Sequence, residues 1–136
     1  MNISHKLLEG SNNDILLFVI INDDKDIEKI SSFNAATVAC TVSSNGNKLE
    51  QEKLYEEKFI HDFISSFKNI YDIYKEKYPN AKTIISGCNL HAELALDILL
   101  KEGEMFDGAI LIKPILNLAI TDSIMVYDKT KVLIIE

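Results

Sequence analysis

Residues Thr83–Pro114 read TIISGCNLHAELALDILLKEGEMFDGAILIKP, and this stretch decides the fold. Two apolar runs, Ala81–Ser86 and Gly108–Ile112, have the length and residue types of buried strands. Between them the leucines and isoleucines recur at three- and four-residue steps, which predicts a helix over Asn89–Gly103 with the glycine as its C-cap. Because a helical crossover makes two strands parallel, the stretch predicts a strand–helix–strand unit of a parallel sheet.

The same alternation continues on both sides of this unit. A long helix, Leu49–Tyr78, has apolar residues at helical spacing and stops before a proline. The other predicted elements are an N-terminal edge strand Ser4–Leu8, a strand Ile15–Ile21, a short helix Lys25–Phe33, a strand Ala36–Val42 and a last strand Lys131–Ile135. This order predicts an α/β fold, a three-layer sandwich in which helices cover both faces of a mostly parallel sheet.

Composition narrows the class of protein further. The 136 residues, Met1–Glu136, suit a single domain, and a net charge of -7 repels nucleic-acid phosphates and anionic lipids. We expect no signal peptide, and no apolar run reaches the roughly 18 residues of a membrane span. Cys40 and Cys88 lie far apart, which favours a reduced, cytoplasmic protein over a disulfide. We therefore expect no nucleic-acid partner, no membrane association, no metal and no cofactor.

The quoted stretch resembles the nucleophile-elbow unit of the α/β-hydrolases. In that unit a strand runs through glycine, any residue, the nucleophile, any residue and glycine into a helix. The Gly-Ala-Ile-Leu sequence of the next strand strengthens the likeness, and the phospholipase/carboxylesterase branch, with its dienelactone-hydrolase-like esterases, is the most similar. On this pattern Gly87 takes the first glycine, Asn89 the nucleophile and His91 the second glycine.

The segments before and after this unit follow the family pattern with departures. Ile20 and Ile21 fall where a His-Gly pair belongs, and Asn22 with the two aspartates after it replaces the oxyanion loop. Lys131–Ile135 matches the strand that precedes the acid and the histidine of the triad, and the sequence stops before either. The resemblance implies a shortened, catalytically degenerate hydrolase fold. It also implies the order of the strands across the sheet: the N-terminal strand comes first, followed by the strands that begin at Ala36, Ile15, Thr83, Gly108 and Lys131.

These departures remove the chemistry of the elbow. Asn89 has no nucleophile to deprotonate, and we expect its side chain to cap the following helix. His91 stands where the turn needs a small residue, which implies that the turn is opened or relaxed. The aspartates after Asn22 oppose a developing oxyanion. The residues therefore predict a non-catalytic hydrolase-like protein that acts by binding, with a small-molecule ligand, or by assembly.

Two other functions stay open. Cys88 lies near a helix N-terminus, which can make a thiol reactive, and His91 is a candidate base for hydrolysis of a small ester or thioester. Against this, the one-residue shift turns Cys88 away from the cleft and no acid follows to orient the histidine, so a small buried hydrophobe is the favoured explanation of the residue. The other alternative is a doubly wound domain that binds a ligand at the carboxyl ends of its strands, although no phosphate-binding motif is present.

We expect the remaining titratable residues to lie at the surface. Glu93 and Asp97 are four residues apart, a spacing at which paired acids commonly face solvent, and His61 is expected at the surface of the long helix. Lys131–Ile135 is expected to be an apolar edge strand, which invites pairing with another chain. We therefore predict a homodimer that covers this edge or the sheet face that C-terminal helices would otherwise occupy.

Overall fold

The computed structural model describes residues 2–22, 34–43, 53, 56–113 and 131–135. The elements within these ranges are β1 Asn2–Leu8, β2 Asn12–Ile21, β3 Ala35–Ser43, α1 Glu57–Lys77, β4 Lys82–Cys88, α2 Leu90–Glu102, a 3-10 turn Gly103–Met105, β5 Gly108–Ile112 and β6 Lys131–Ile135. The short helix predicted at Lys25–Phe33 lies outside the described residues.

The six strands form one mixed sheet in the order β1-β3-β2-β4-β5-β6. Strand β1 is antiparallel to β3, and the other neighbouring strands are parallel. The strand order that the resemblance implies is confirmed, and so are the N-terminal edge strand and the α/β class with a mostly parallel sheet. Parallel pairing puts the ends of β2, β4 and β5 at one edge of the sheet, which we call the carboxyl edge.

Both described helices pack on the same face of the sheet. Phe18 of β2 lies at the centre of this core, with its ring centroid 5.5 Å from Phe67 and Tyr71 of α1 and 6.4 Å from Phe106. Residues of α2 complete the same cluster. The opposite face has a smaller buried cluster formed by Leu17, Val19, Ile21 and Ala39. Burial of aromatic and aliphatic surface on the helix-covered face is therefore the main stabilising contribution among the described residues.

Several predicted boundaries shift. Helix α1 starts at Glu57, not Leu49, because the backbone of Glu56 is extended at φ -89° and ψ 112°. Strand β4 continues past Ser86 to Cys88, since Cys88 still pairs with β5. The glycine C-cap predicted at Gly103 is wrong in its geometry: the glycine has a right-handed φ of -57° and leads into the 3-10 turn.

A hydrogen-bond network fixes the amino ends of β4 and β5. The Thr83 N–H donates to Asp107 Oδ2 at 2.9 Å, and the Asp107 N–H donates to the Thr83 carbonyl at 2.8 Å. The hydroxyls of Thr83 and Tyr71 both donate to the Met105 carbonyl, at 2.6 and 3.0 Å. The start of the β4–α2–β5 unit is thus held rigidly, and its other end lies at the carboxyl edge.

Candidate functional site

A strained turn connects β4 to α2 at the carboxyl edge. Asn89 occupies this turn with φ 55° and ψ -120°, a conformation that residues with a Cβ rarely adopt. Its N–H donates to the Ile112 carbonyl of β5 at 2.9 Å, and its carbonyl accepts from the Ala92 N–H at 3.1 Å. Because backbone bonds hold the residue on both sides, the turn is fixed between the sheet and the first turn of the helix.

The close approach of strand and helix explains the glycine before this turn. A Cβ placed on Gly87 would lie 2.4 Å from the His91 carbonyl oxygen and 2.8 Å from the Ala92 nitrogen. The prediction that His91 opens or relaxes the turn is therefore wrong, since Asn89 keeps its strained conformation. The physical reason is that the tight contact is made by the backbone of His91, while its side chain is half-buried beside the turn.

The capping role predicted for Asn89 is also wrong. Asn89 stands at the N-cap position of α2, but its side chain makes no capping hydrogen bond. A capping side chain needs an extended backbone at the N-cap residue, and the positive φ of Asn89 directs the carboxamide elsewhere. The residue is exposed, so the carboxamide is presented at the carboxyl edge.

Cys88 ends β4 with an exposed side chain. Side chains alternate along a strand, and Gly87 faces α2, so Cys88 points to the other face of the sheet. Within the described part of the chain, no hydrogen bond links its thiol to an imidazole. The geometry thus gives an accessible thiol that points away from the helix carrying His91.

The other cysteine, Cys40, has a buried and unreactive thiol. Cys40 is fully buried in β3, and burial raises the pKa of its thiol to about 12. Strand β2 lies between β3 and β4, so the two cysteines are roughly 10 Å apart across the sheet, which is too far for a disulfide. Both thiols are free.

The three residues matched to the oxyanion loop separate into two groups. Ile20 and Ile21 lie within β2 with 2% and 6% exposure, and they pair with β3. Asn22 follows the strand and is half-buried. Ile20 is in register with Gly87, so Asn22 lies level with Asn89 along the edge. The aspartates after Asn22 lie outside the described residues.

The acidic pair on α2 is not solvent-facing, contrary to prediction. Glu93 and Asp97 are both half-buried, and the Oε1 atom of Glu93 is fully covered. Burial, and then the neighbouring Glu93, raises the pKa of Asp97 to about 6, and Lys101 partly opposes this. A sequence signal was available, because a helix with leucine, isoleucine or alanine on almost every side is buried on most of its surface.

Lys113 is a site residue that the sequence does not reveal. It follows β5, has a φ of 49° and is exposed. Its N–H donates to the Ile135 carbonyl of β6 at 2.6 Å, which repeats the bond from Asn89 to the end of β5. Cys88 pairs with Ile112, so Lys113 lies level with Asn89. A lysine before a proline does not indicate a left-handed conformation, so no sequence pattern identifies it.

The remaining histidines lie on other elements. His5 of β1 is hydrogen-bonded to the Tyr74 hydroxyl at 2.7 Å, and His61 is exposed on α1 with its Nδ1 3.7 Å from Asp62 Oδ1. In the ranges described, no three histidine, cysteine or acidic residues converge as metal ligands. Neither α1 nor α2 combines the length and the apolar character that a membrane-spanning helix requires.

The chain is similar to known proteins in structure but not in sequence. No protein-family model and no curated protein matches the sequence. The structure is similar to that of protein Atu2452 of unknown function from Agrobacterium tumefaciens, with a TM-score of 0.70, 12% identity, and coverage of 97% of this chain and 84% of that one. It is also similar to the Bacillus cereus carboxylesterase, with a TM-score of 0.69, 14% identity, and coverage of 97% and 83%.

A third match is a protein described as a predicted CIB-like hydrolase from Thermoplasma acidophilum, with a TM-score of 0.52, 13% identity, and coverage of 98% and 81%. The chain has the α/β-hydrolase fold. The resemblance stated from the sequence is confirmed at the level of the fold, although identities this low carry no activity across. In the α/β-hydrolase fold the nucleophile stands on a sharp, strained strand-to-helix turn. The turn at Asn89 has that form.

Proposed function

We propose that this chain is a non-catalytic α/β-hydrolase-like protein that binds a small molecule at the carboxyl edge. One observation carries the proposal: Asn89 occupies the strained turn between β4 and α2, with φ 55° and ψ -120° and an exposed side chain. A carboxamide has no proton whose removal yields a useful nucleophile, so no acyl-enzyme forms at this position. The turn is kept, and its attacking group is replaced.

The chemistry of a carboxamide supports binding. Its oxygen accepts and its nitrogen donates hydrogen bonds, so one side chain can hold a carbonyl, carboxylate or amide group of a ligand. Strained residues cost about 1–3 kcal/mol each and cluster at functional sites. Among the described residues, the side chain of Asn89 makes no capping hydrogen bond to α2 that would offset this cost. This combination favours a role outside the chain.

Hydrolysis of a small ester or thioester at Cys88 is the alternative. The exposed thiol at the end of β4 favours it. Two observations weigh against it. The thiol points away from the face that carries α2, and in the described ranges no hydrogen bond joins it to an imidazole.

A cytoplasmic location is part of the non-catalytic proposal, and two free thiols support it.

The first experiment separates binding from catalysis. Purified protein is mixed with p-nitrophenyl acetate and p-nitrophenyl butyrate, and nitrophenolate release is followed from the first milliseconds. We expect no burst, and a steady rate that is the same for the wild type, Asn89→Ala and Cys88→Ala. A burst equal to the protein concentration that disappears in Cys88→Ala would establish the thiol hydrolase and end the non-catalytic proposal.

The second experiment tests the carboxamide as a ligand contact. Amide NMR spectra are recorded with butyrate and butyramide at millimolar concentrations. We expect the side-chain amide of Asn89 and the amides of residues 90 and 113 to shift, and the shifts to weaken in Asn89→Ala, which keeps the Cβ and the backbone strain. Identical shifts in that variant, or none in the wild type with either compound, would contradict the binding role.

A further inference from the structure

Two residues at the carboxyl edge share one backbone arrangement. Asn89 follows β4 with a φ of 55°, and Lys113 follows β5 with a φ of 49°. The Asn89 N–H donates to the Ile112 carbonyl of β5 at 2.9 Å, and the Lys113 N–H donates to the Ile135 carbonyl of β6 at 2.6 Å. The same strand ending is therefore built twice, on neighbouring strands.

The register of the sheet brings these two residues within reach of one small molecule. Cys88 pairs with Ile112 in the parallel ladder, so the Cα atoms of Asn89 and Lys113 lie roughly 5 Å apart. Because the strands are parallel and the two φ angles are similar, the Cα–Cβ bonds leave the backbone in similar directions. Both side chains are exposed, so both are available to the same ligand.

Neither side chain is engaged by the described part of the chain. The ammonium group of Lys113 makes no ion pair or hydrogen bond with a described residue, and neither does the carboxamide of Asn89. Lys68 is different, since its Nζ lies 3.2 Å from Glu102 Oε1. An ammonium group and a carboxamide both donate hydrogen bonds, so the pair can hold one acceptor between them.

We propose that the small molecule bound at the carboxyl edge is a carboxylate, held by the Lys113 ammonium group and the Asn89 carboxamide. An ionised carboxylate only accepts hydrogen bonds, and its two oxygens suit one donor from each side chain. The bond from the ammonium group is charge-assisted, which makes it roughly twice as strong as a neutral one. The inference rests on the proposed binding function and adds the charge and class of the ligand.

The charges along the edge favour a carboxylate over a phosphate. Among the described residues that follow β2, β4 and β5, which are Asn22, Asn89 and Lys113, none is acidic and one is basic. Asp23 and Asp24 come after β2 in the sequence, and β4 separates β2 from β5 in the sheet. A phosphate group carries nearly two negative charges at neutral pH, more than one lysine neutralises, and the sequence has no phosphate-binding motif.

Butyrate and butyramide test the proposal, because they have nearly the same size and differ in charge. Dissociation constants are measured by NMR titration of the full chain at low salt. We expect the wild type to bind butyrate about tenfold more tightly than butyramide. Lys113→Met removes the ammonium group, so it should abolish this preference and leave butyramide binding unchanged, whereas Lys113→Arg should keep the preference. Lys58→Met is the control, since it removes the same charge from an exposed position of α1.

Salt tests the same charge without a substitution. Sodium chloride raised from about 50 to 500 mM should weaken the binding of butyrate to the wild type and leave that of butyramide unchanged. Equal affinities for the two compounds, or a loss of butyrate affinity that Lys58→Met matches, would overturn the carboxylate proposal while the binding function stands. A wild type that binds neither compound would overturn the binding function, and the carboxylate proposal with it.

Discussion

At the amino ends of β4 and β5, polar groups are paired within the chain, whereas at the carboxyl ends they are presented outward on strained backbone. Thr83 and Asp107 exchange two short hydrogen bonds at the amino end. At the carboxyl end, Asn89 and Lys113 both have positive φ and exposed side chains. The same two strands therefore have one end arranged for stability and another that costs stability.

This difference indicates where function can be placed on the fold. A strained residue persists only where surrounding structure over-determines it, and the paired amino end, the buried aromatic core and the glycine at position 87 supply that structure. Substitutions at the amino end and at Gly87 are therefore expected to destabilise the protein. Substitutions that relieve the carboxyl end stabilise it, at the expense of the proposed binding.

The largest expected effect is that of Gly87→Ala. The new Cβ would lie 2.4 Å from the His91 carbonyl oxygen, which is backbone and cannot rotate away. We expect a loss of about 3 kcal/mol of unfolding free energy in urea denaturation. Gly108→Ala is the control, because its Cβ would lie 3.3 Å from the nearest atom. Equal losses for the two variants would show that the strand–helix contact is looser than the structure indicates.

The next effect concerns the amino end. Asp107→Ala removes the acceptor of the Thr83 N–H, and Thr83 is only 2% exposed, so its donor loses its partner in a buried place. We expect a loss of about 1–2 kcal/mol. Asp107→Asn keeps an acceptor oxygen and is expected to lose less than half as much. A comparable loss in both variants would assign the effect to charge and not to the hydrogen bond.

The sequence predicts the frame of this molecule better than its strained parts. The parallel β4–α2–β5 unit follows from apolar periodicity, because burial of apolar faces fixes which elements pack, whereas the strand order is implied by the resemblance to the α/β-hydrolases. The conformation of Asn89 follows from contacts between residues far apart in sequence, including the bond to Ile112, and a local pattern does not contain it. For this reason the predicted relaxed turn and the predicted cap were both wrong.

The half-burial of Glu93 and Asp97 shows the same limit of prediction from local sequence patterns. Spacing places the two acids on one face of α2 but does not tell what lies against that face. The apolar content of the rest of the helix was the stronger signal, and it indicates a helix surrounded by structure on most sides. Lys113 shows this limit of sequence-based prediction most clearly. Its position at the carboxyl edge depends on the ends of β5 and β6 lying side by side in the fold, which no local sequence pattern indicates.

Asp97→Asn is expected to stabilise the protein at neutral pH. The pKa of Asp97 is raised from 3.8 to about 6, mainly by burial, so the charged form is disfavoured in the folded state. The stability linked to the protonated carboxyl is complete below pH 3.8 and is lost as pH rises through about 6. After allowance for solvent screening, we expect a gain of about 1 kcal/mol at pH 7.5 and almost none at pH 3.5.

Thermal unfolding of the wild type and Asp97→Asn across this pH range measures the trend. Asp62→Asn removes the same charge from an exposed position of α1 and separates the effect of burial from that of net charge. A gain for Asp97→Asn that is independent of pH, or one matched by Asp62→Asn, would contradict the assignment to a desolvated carboxylate.

The smallest expected effect is that of Asn89→Gly, and it sharpens the comparison most. Glycine adopts φ 55° and ψ -120° without the clash of a Cβ, which relieves about 1–3 kcal/mol of strain, but it also increases the entropy of the unfolded chain by about 1 kcal/mol. We expect a net gain of about 0.5–1 kcal/mol, seen as a higher melting temperature, together with loss of the butyrate or butyramide shifts. Asn89→Ala keeps the strain and removes the carboxamide, so it should lose the shifts without the gain. If Asn89→Gly destabilises the fold while Asn89→Ala does not, the turn is relaxed in solution, and the carboxyl end of the sheet is no more strained than the amino end.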